Sequence, residues 1–219
     1  LCINNSNALI LVYRASIYGN KDMTHLGFND ITMLGNMPNL MYLAPTTVEE
    51  LESSIRYGLE HHNHPIAIRI PVGSPIYETS QSNTTGCPVT SYDITQSGST
   101  IAIIGVGNFY HKAVELSHAI HDAMHISPTL VKPLCISSLD TDTLNKLRKN
   151  HNIVITLEDG ELEGGYGQKI ASYYGKTSMN VLNYGISKQF YDRYKPEDVL
   201  QQNHFDFKHI LDDIRNIQH

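Results

Sequence analysis

The sequence predicts an α/β protein of two domains, each a parallel sheet layered between helices. Short apolar runs such as Leu9-Ile10-Leu11-Val12 and Ile101-Ala102-Ile103-Ile104 alternate with segments whose apolar residues recur at helical spacing, a strand–helix–strand rhythm. That rhythm lapses between Val72 and Gly98, where Ser, Thr, Gly, Pro and Asn dominate and neither period survives. A boundary is therefore expected near residue 90, with one domain and its linker over 1–90 and the other over 91–219. A length of 219 residues, 41% of them hydrophobic, suits one or two buried cores.

Taken in order, residues 8–13 read as a buried strand and 28–34 as a short helix ending near Gly35. Residues 40–43 form a second strand, stopped by Pro45. Thr46 and Glu49 have the spacing of a capping box, and Val48, Leu51, Ile55 and Leu59 give the next helix, running to about Glu60, an apolar face. Residues 66–70 make a third strand. Residues 92–95 and 99–105 are expected to pair as a hairpin about Ser97-Gly98. After the strand at 100–104 and the turn Gly105-Val106-Gly107-Asn108 comes a helix with Ala113, Leu116, Ile120 and Ala123 on one face. Strands at 129–131, 152–157 and 180–184, helices at 141–150 and 167–174, a loop at 158–165, and two short helices in the tail at 196–217 complete the reading.

Composition excludes several classes. A net charge of −6 with 17% charged residues argues against a nucleic-acid surface. No run approaches the ~20 apolar residues of a membrane span, and the N-terminus lacks the pattern of a signal peptide, so a cytoplasmic protein is expected. Cys2, Cys87 and Cys135 are odd in number and widely spaced, which suits a reducing compartment. Asn83-Thr84-Thr85 matches a glycosylation sequon and reads as an ordinary loop. The chain begins at Leu1, close to an apolar strand, and is expected to be part of something longer.

Candidate chemistry concentrates just after the first strand, in Val12 to Asp30. A buried strand that delivers Arg14 and then His25 into one loop has the layout of an α/β active-site rim. Imidazole can take up and return a proton near neutral pH, and a guanidinium offers two parallel bonds to a phosphate; the plainer alternatives are a backbone-bonded loop histidine and an arginine paired with Asp22 or Asp30. His61-His62-Asn63-His64 lacks a Cys or acidic ligand at fixed spacing and reads as a solvated helix end, so no metal site is expected. Gly105-Val106-Gly107 is half of a dinucleotide fingerprint without its third glycine and reads as structural.

Arg14-Ala15, Thr24-His25, Gly27, Asp30, Met37-Pro38-Asn39-Leu40, Ala44-Pro45 and Ala67-Ile68-Arg69-Ile70-Pro71 together resemble the pyrimidine-binding domain of the 1-deoxy-D-xylulose-5-phosphate synthase family, of the transketolase superfamily. That family's pattern runs D-R-A-G, T-H-Q-G-x-F-D, I-P-N-M, A-P and A-I-R-Y-P-R-G. Farther on, Glu158-Asp159-Gly160 and Gly164-Gly165-Tyr166-Gly167 stand where the transketolase C-terminal domain has E-E-G and G-G-x-G. The resemblance implies a partial pyrimidine-binding domain followed by a transketolase C-terminal domain. It also implies a thiamine-diphosphate-dependent transferase of isoprenoid biosynthesis, passing a two-carbon unit from a keto acid to an aldehyde. His25 would be its catalytic residue, and Arg14 with Asp22 would bind substrate. A homodimer, with thiamine diphosphate and Mg²⁺ in the complete protein, is implied as well. The resemblance makes Glu158-Asp159-Gly160 an interface segment rather than a catalytic dyad.

This sequence departs from the pattern at three places: Val72 replaces the second phosphate arginine, Lys21 the loop aspartate with Asp22 next to it, and Leu26 the glutamine. The cofactor-binding glutamate, the stacking aromatics and the metal–diphosphate motif of the family all lie upstream of the D-R-A-G strand. The 219 residues are therefore expected to hold one wall of the site, to bind no cofactor tightly and not to turn over alone. Alternatives are a transketolase or 2-oxo acid dehydrogenase beta-type subunit working with a partner chain, and a non-catalytic dimerisation scaffold.

Overall fold

The computed structural model describes residues 1–19, 22–60, 63–71 and 89–218. The chain lays down β1 (Leu9–Ala15), α1 (Asp30–Leu34), β2 (Met41–Leu43), α2 (Val48–Glu60) and β3 (Ile66–Pro71). These strands form a three-stranded parallel sheet in the order β1-β3-β2. After the undescribed 72–88 come β4 (Tyr92–Gln96), β5 (Thr100–Gly105), a 3₁₀ turn (Gly107–Phe109), α3 (Tyr110–Met124), β6 (Thr129–Pro133) and α4 (Thr141–Leu147). Then follow β7 (His151–Glu161), α5 (Tyr166–Tyr174), β8 (Asn180–Ile186), α6 (Pro196–Gln202) and α7 (Phe207–Gln218). The second sheet runs β4-β6-β5-β7-β8, parallel except at β4. This is the expected α/β architecture.

Alternation along the central strands explains the layers. Ile101, Ile103, Ile153 and Ile155 face α3 and α7, packing on Leu116, Ile120, Ile210 and Ile214. Ala102, Ile104 and Val154 face the opposite side, among Leu144, Leu147, Ile170 and Tyr174. Period two on a sheet buried on both faces leaves no polar side, so β5 reads as a continuous apolar run. Tyr42, Ala44 and Ala67 of the first sheet join that second cluster, which makes one apolar core continuous across the two sheets.

Four local expectations are corrected. No hairpin forms about Ser97-Gly98: β4 pairs antiparallel with β6, Tyr92 opposite Pro133 and Ile94 opposite Val131. The Gln96 amide donates to Pro128 O at 2.8 Å and the Gly98 N–H to Thr129 Oγ1 at 2.9 Å, which holds the turn against the start of β6. The capping box at α2 lies one residue later than its spacing suggested. Thr47 Oγ1 accepts the Glu50 N–H at 3.2 Å, and Glu50 Oε2 accepts the Thr46 and Thr47 N–H groups at 2.7 and 3.3 Å. The most buried residues of α2 are Glu50, Ser54 and Gly58; of the predicted apolar stripe Leu51 and Ile55 pack on the cluster of Leu43, Ile66 and Ile68, whereas Val48 and Leu59 are exposed. Gly58 permits this orientation, because a Cβ there would stand 2.6 Å from Leu9 Cδ1. The predicted loop at 158–165 is also shorter, since β7 continues through Glu161.

The two sheets share a backbone seam. Leu43 and Cys135 form an isolated antiparallel bridge, the Ala44 N–H donates to Leu134 O and the Ile136 N–H to Tyr42 O, both at 2.8 Å. Strand β2 thus continues its pairing onto the segment that leaves β6.

Candidate active-site rim

The rim begins where β1 ends. Arg14 and Ser16 hold φ of +62° and +88°, left-handed conformations that cost a side-chain-bearing residue of order 1–3 kcal/mol. The strained turn swings the Arg14 side chain out of the sheet, and Arg14 is exposed. The turn is held from across the loop by Gly27, whose carbonyl accepts the Ser16 N–H at 2.7 Å. Only glycine fits there, since a Cβ would lie 2.1 Å from Arg14 O. Backbone contact therefore brings the two ends of the Arg14–Gly27 loop together.

Within the loop, Asp22, Thr24 and His25 form one cluster. Asp22 Oδ1 accepts the Thr24 N–H at 3.0 Å and also its hydroxyl. His25 Nδ1 lies 3.1 Å from that carboxylate oxygen and 2.8 Å from Thr24 Oγ1. With Asp22 as the acceptor these contacts suit a proton on Nδ1, and Nε2 has no hydrogen bond among the described residues. The Tyr18 hydroxyl donates to His25 O at 3.1 Å, fixing the backbone below. The Thr24 hydroxyl, and after it His25, hold the Asp22 carboxyl down to about 2, so Asp22 is ionised whenever His25 can work. Both side chains of the pair are 54% exposed.

The structure brings Asp22 and His25 into direct contact and puts Arg14 at the mouth of the same loop. It pairs Arg14 with neither Asp22 nor Asp30, because Asp30 belongs to a different cluster. Lys21, Val72, Cys87, the 83–85 sequon and the first two histidines of His61-His62-Asn63-His64 lie outside the described residues. Among the described residues no group of three His, Cys, Asp or Glu side chains is placed to hold a metal.

Beneath the rim lies a cluster the sequence reading did not assemble. Arg69, 1% exposed, donates from Nε to Asp30 Oδ2 at 2.7 Å and from Nη1 to Asp159 Oδ1 at 2.5 Å. The Tyr42 hydroxyl donates to the same Asp30 oxygen. Burial alone would lower the Arg69 pKa, but the carboxylates of Asp159 and Asp30 raise it. A second buried pair joins the sheets where Lys132 Nζ meets Glu50 Oε1 at 2.5 Å. Glu158, wholly buried, accepts the N–H groups of Tyr166 and Gly167 at 2.9 and 2.7 Å and caps α5. Desolvation nevertheless pushes its carboxyl up to about 7. One signal for the cluster was present in the sequence: an arginine inside the apolar run Ile66–Pro71 needs a buried acid.

The family model of the transketolase C-terminal domain matches residues 91–210, more than half the chain. The chain belongs to the transketolase family. It is 28% identical to a 1-deoxy-D-xylulose-5-phosphate synthase of Clostridium tetani, over 99% of this chain and 35% of that protein. Its identity to the enzyme of the same name from Gloeothece citriformis is 29%, over 98% and 34%. The chain thus spans about a third of the length of these curated relatives. A solved split-gene transketolase, titled an inactive beta4 tetramer, superposes with a TM-score of 0.77 at 17% identity, over 95% of this chain and 65% of that one; at that identity the likeness shows the fold. Glu158-Asp159-Gly160, expected as an interface loop, lies within β7, and Asp159 is salt-bridged to Arg69 across the two sheets. No helix among the described residues is long and apolar enough to cross a membrane.

Proposed function

We propose that this chain is the C-terminal portion of a thiamine-diphosphate-dependent transferase that passes a two-carbon unit from a keto acid to an aldehyde, as the name shared by its curated relatives suggests. One observation carries the reading: His25 is tied at Nδ1 by Asp22 and Thr24, with Nε2 free, in the same loop whose mouth holds Arg14 on a strained turn. Thiamine diphosphate supplies a stabilised carbanion equivalent when bound. Of the chemistry around it, these residues fit one wall. Nε2 of His25 can take a proton from, or return one to, an oxygen of the reacting carbonyl, and the Asp22 carboxylate steadies the imidazolium that results. Arg14 offers its fork to a phosphate on the acceptor. The diphosphate and its Mg²⁺ would be held by residues outside the 219, and the boundary between the two units is placed near residue 90. Assembly as a homodimer belongs to the same proposal.

A second reading, in which this chain works with a separate partner chain, is suggested by the name of the matched structure, a split-gene transketolase. Both readings are tested by assaying the complete protein with pyruvate and a panel of phosphorylated and unphosphorylated aldehydes. His25→Ala should lower turnover at least 100-fold, within the range of general acid–base catalysis. Turnover unchanged in that variant rules out the proposed role. If glyceraldehyde phosphate is the best acceptor and Val72→Arg does not improve it, the argument that the second phosphate cation has been lost fails, and Arg14 suffices.

A further inference from the structure

Where α5 meets the segment after β6 there is a pocket of about 520 Å³, within the range of small-molecule sites. Asn36 of the first sheet's side forms one wall, and Ser137, Ser138, Gln168, Lys169 and Ser172 form most of the rest. No carboxylate lines it. The acids adjacent in sequence are engaged elsewhere: Asp140 with the Thr143 and Tyr92 N–H groups, Glu158 with the start of α5, and Glu163 with Lys188.

Among the described residues Lys169 is the only charged group in the lining. Its ammonium donates to Gly35 O at 2.5 Å and Ile136 O at 3.3 Å, and no ion pair reaches it among the described residues. Two of its three donors are thus used on neutral carbonyls, and no carboxylate touches it directly among the described residues. Burial lowers its pKa, only partly offset by the Cys135 thiol and the Glu158 carboxyl nearby. Gln168 Oε1 accepts the Gly164 N–H at 2.8 Å, which turns its amide NH₂ outward as a donor. An ammonium proton, an amide NH₂ and the hydroxyls of Ser138 and Ser172 face one space.

We propose that this pocket binds a small hydroxylated molecule through a single phosphate or carboxylate group, with Lys169 as its counter-ion. The site is separate from the rim, and because Lys169 already grips Gly35 of the first half, occupancy would tighten the contact between the halves.

The test is a thermal-melt titration of the complete protein with inorganic phosphate, glycerol 2-phosphate and acetate, each against sodium chloride at matched ionic strength. A saturable rise in melting temperature beyond the chloride control is expected. Loss of one charge-assisted contact in Lys169→Gln should weaken the apparent affinity about tenfold or more. Ser172→Asp, which sets a competing carboxylate within i, i+3 reach of Lys169, should abolish the effect without lowering the ligand-free melt. Arg14→Ala should leave it unchanged. A rise no larger than with chloride, full binding by Ser172→Asp, or loss in Arg14→Ala would each overturn the proposal, the last by moving the anion to the rim.

Discussion

The seam between the sheets and the loop above it use the same chemistry in opposite surroundings. Arg69, Asp30 and Asp159 meet with almost no access to water, whereas Asp22 and His25 meet in the open, each about half exposed. Charges taken out of water are costly unless every partner stays, so removing one member of a buried group leaves an uncompensated ion and destabilises strongly. The exposed pair is screened and contributes little to stability; it orients a ring. Burial, rather than residue type, separates the charges that hold the fold from those available for chemistry.

That contrast can be broken most directly at Arg69. Arg69→Met leaves Asp30 and Asp159 buried without their cation and should cost about 3–5 kcal/mol, read as a fall in the urea midpoint at unchanged slope. A loss below about 1 kcal/mol would show that the seam is hydrated and not different in kind from the rim.

Next in size is the pH response of Glu158. Its folded pKa of about 7 lies above the ordinary value of 4.5, so the folded state keeps the proton longer. The associated stability is complete below about pH 4.5 and is lost as pH rises through 7. With about 1.4 kcal/mol per unit, the drop is roughly 3 kcal/mol. Denaturation at pH 5 and pH 8 measures it, and Glu158→Gln should show a much shallower fall between the two. Equal slopes in both proteins would remove Glu158 as the cause.

Lys132→Met sharpens the comparison from within the seam. Its partner Glu50 also caps α2 through the Thr46 and Thr47 N–H groups, which keep part of the stranded carboxylate satisfied. The expected loss is therefore smaller, about 2 kcal/mol, and a chemical-denaturation series beside Arg69→Met ranks the two. At the bottom of the scale, His25→Ala and Asp22→Asn should each leave the urea midpoint essentially unchanged while turnover of the complete protein falls. If the melt of His25→Ala collapses along with activity, the histidine is structural.

The parts of this molecule that sequence could reveal are those set by neighbours along the chain. The strand at Thr100–Gly105 and the helix through Ala113, Leu116 and Ile120 follow from period alone, and the contact of Asp22 with His25 joins near neighbours in one short loop. Long-range partners were not visible. The hairpin reading failed because β4 chooses β6 over its sequence neighbour. The face of α2 was partly misread because Glu50 turns inward to a lysine from a distant strand, and local periodicity cannot register that partner. Asp30 was weighed as a partner for Arg14, in the neighbouring strand, when its cation comes from β3.

Backbone pairing between β2 and the segment at 134–136 also sets an order in time. Within these 219 residues the first sheet has three strands, near the lower limit for a unit that persists alone, and the outer bonds of β2 are supplied by residues that follow β6. The first sheet should therefore assemble only after the second has formed its centre, as a late-docking element rather than an independent foldon. Native-state hydrogen exchange can see this directly: the amides of Ala44 and Ile136, made by one half and accepted by the other, should exchange together, through a single opening shared by both sheets.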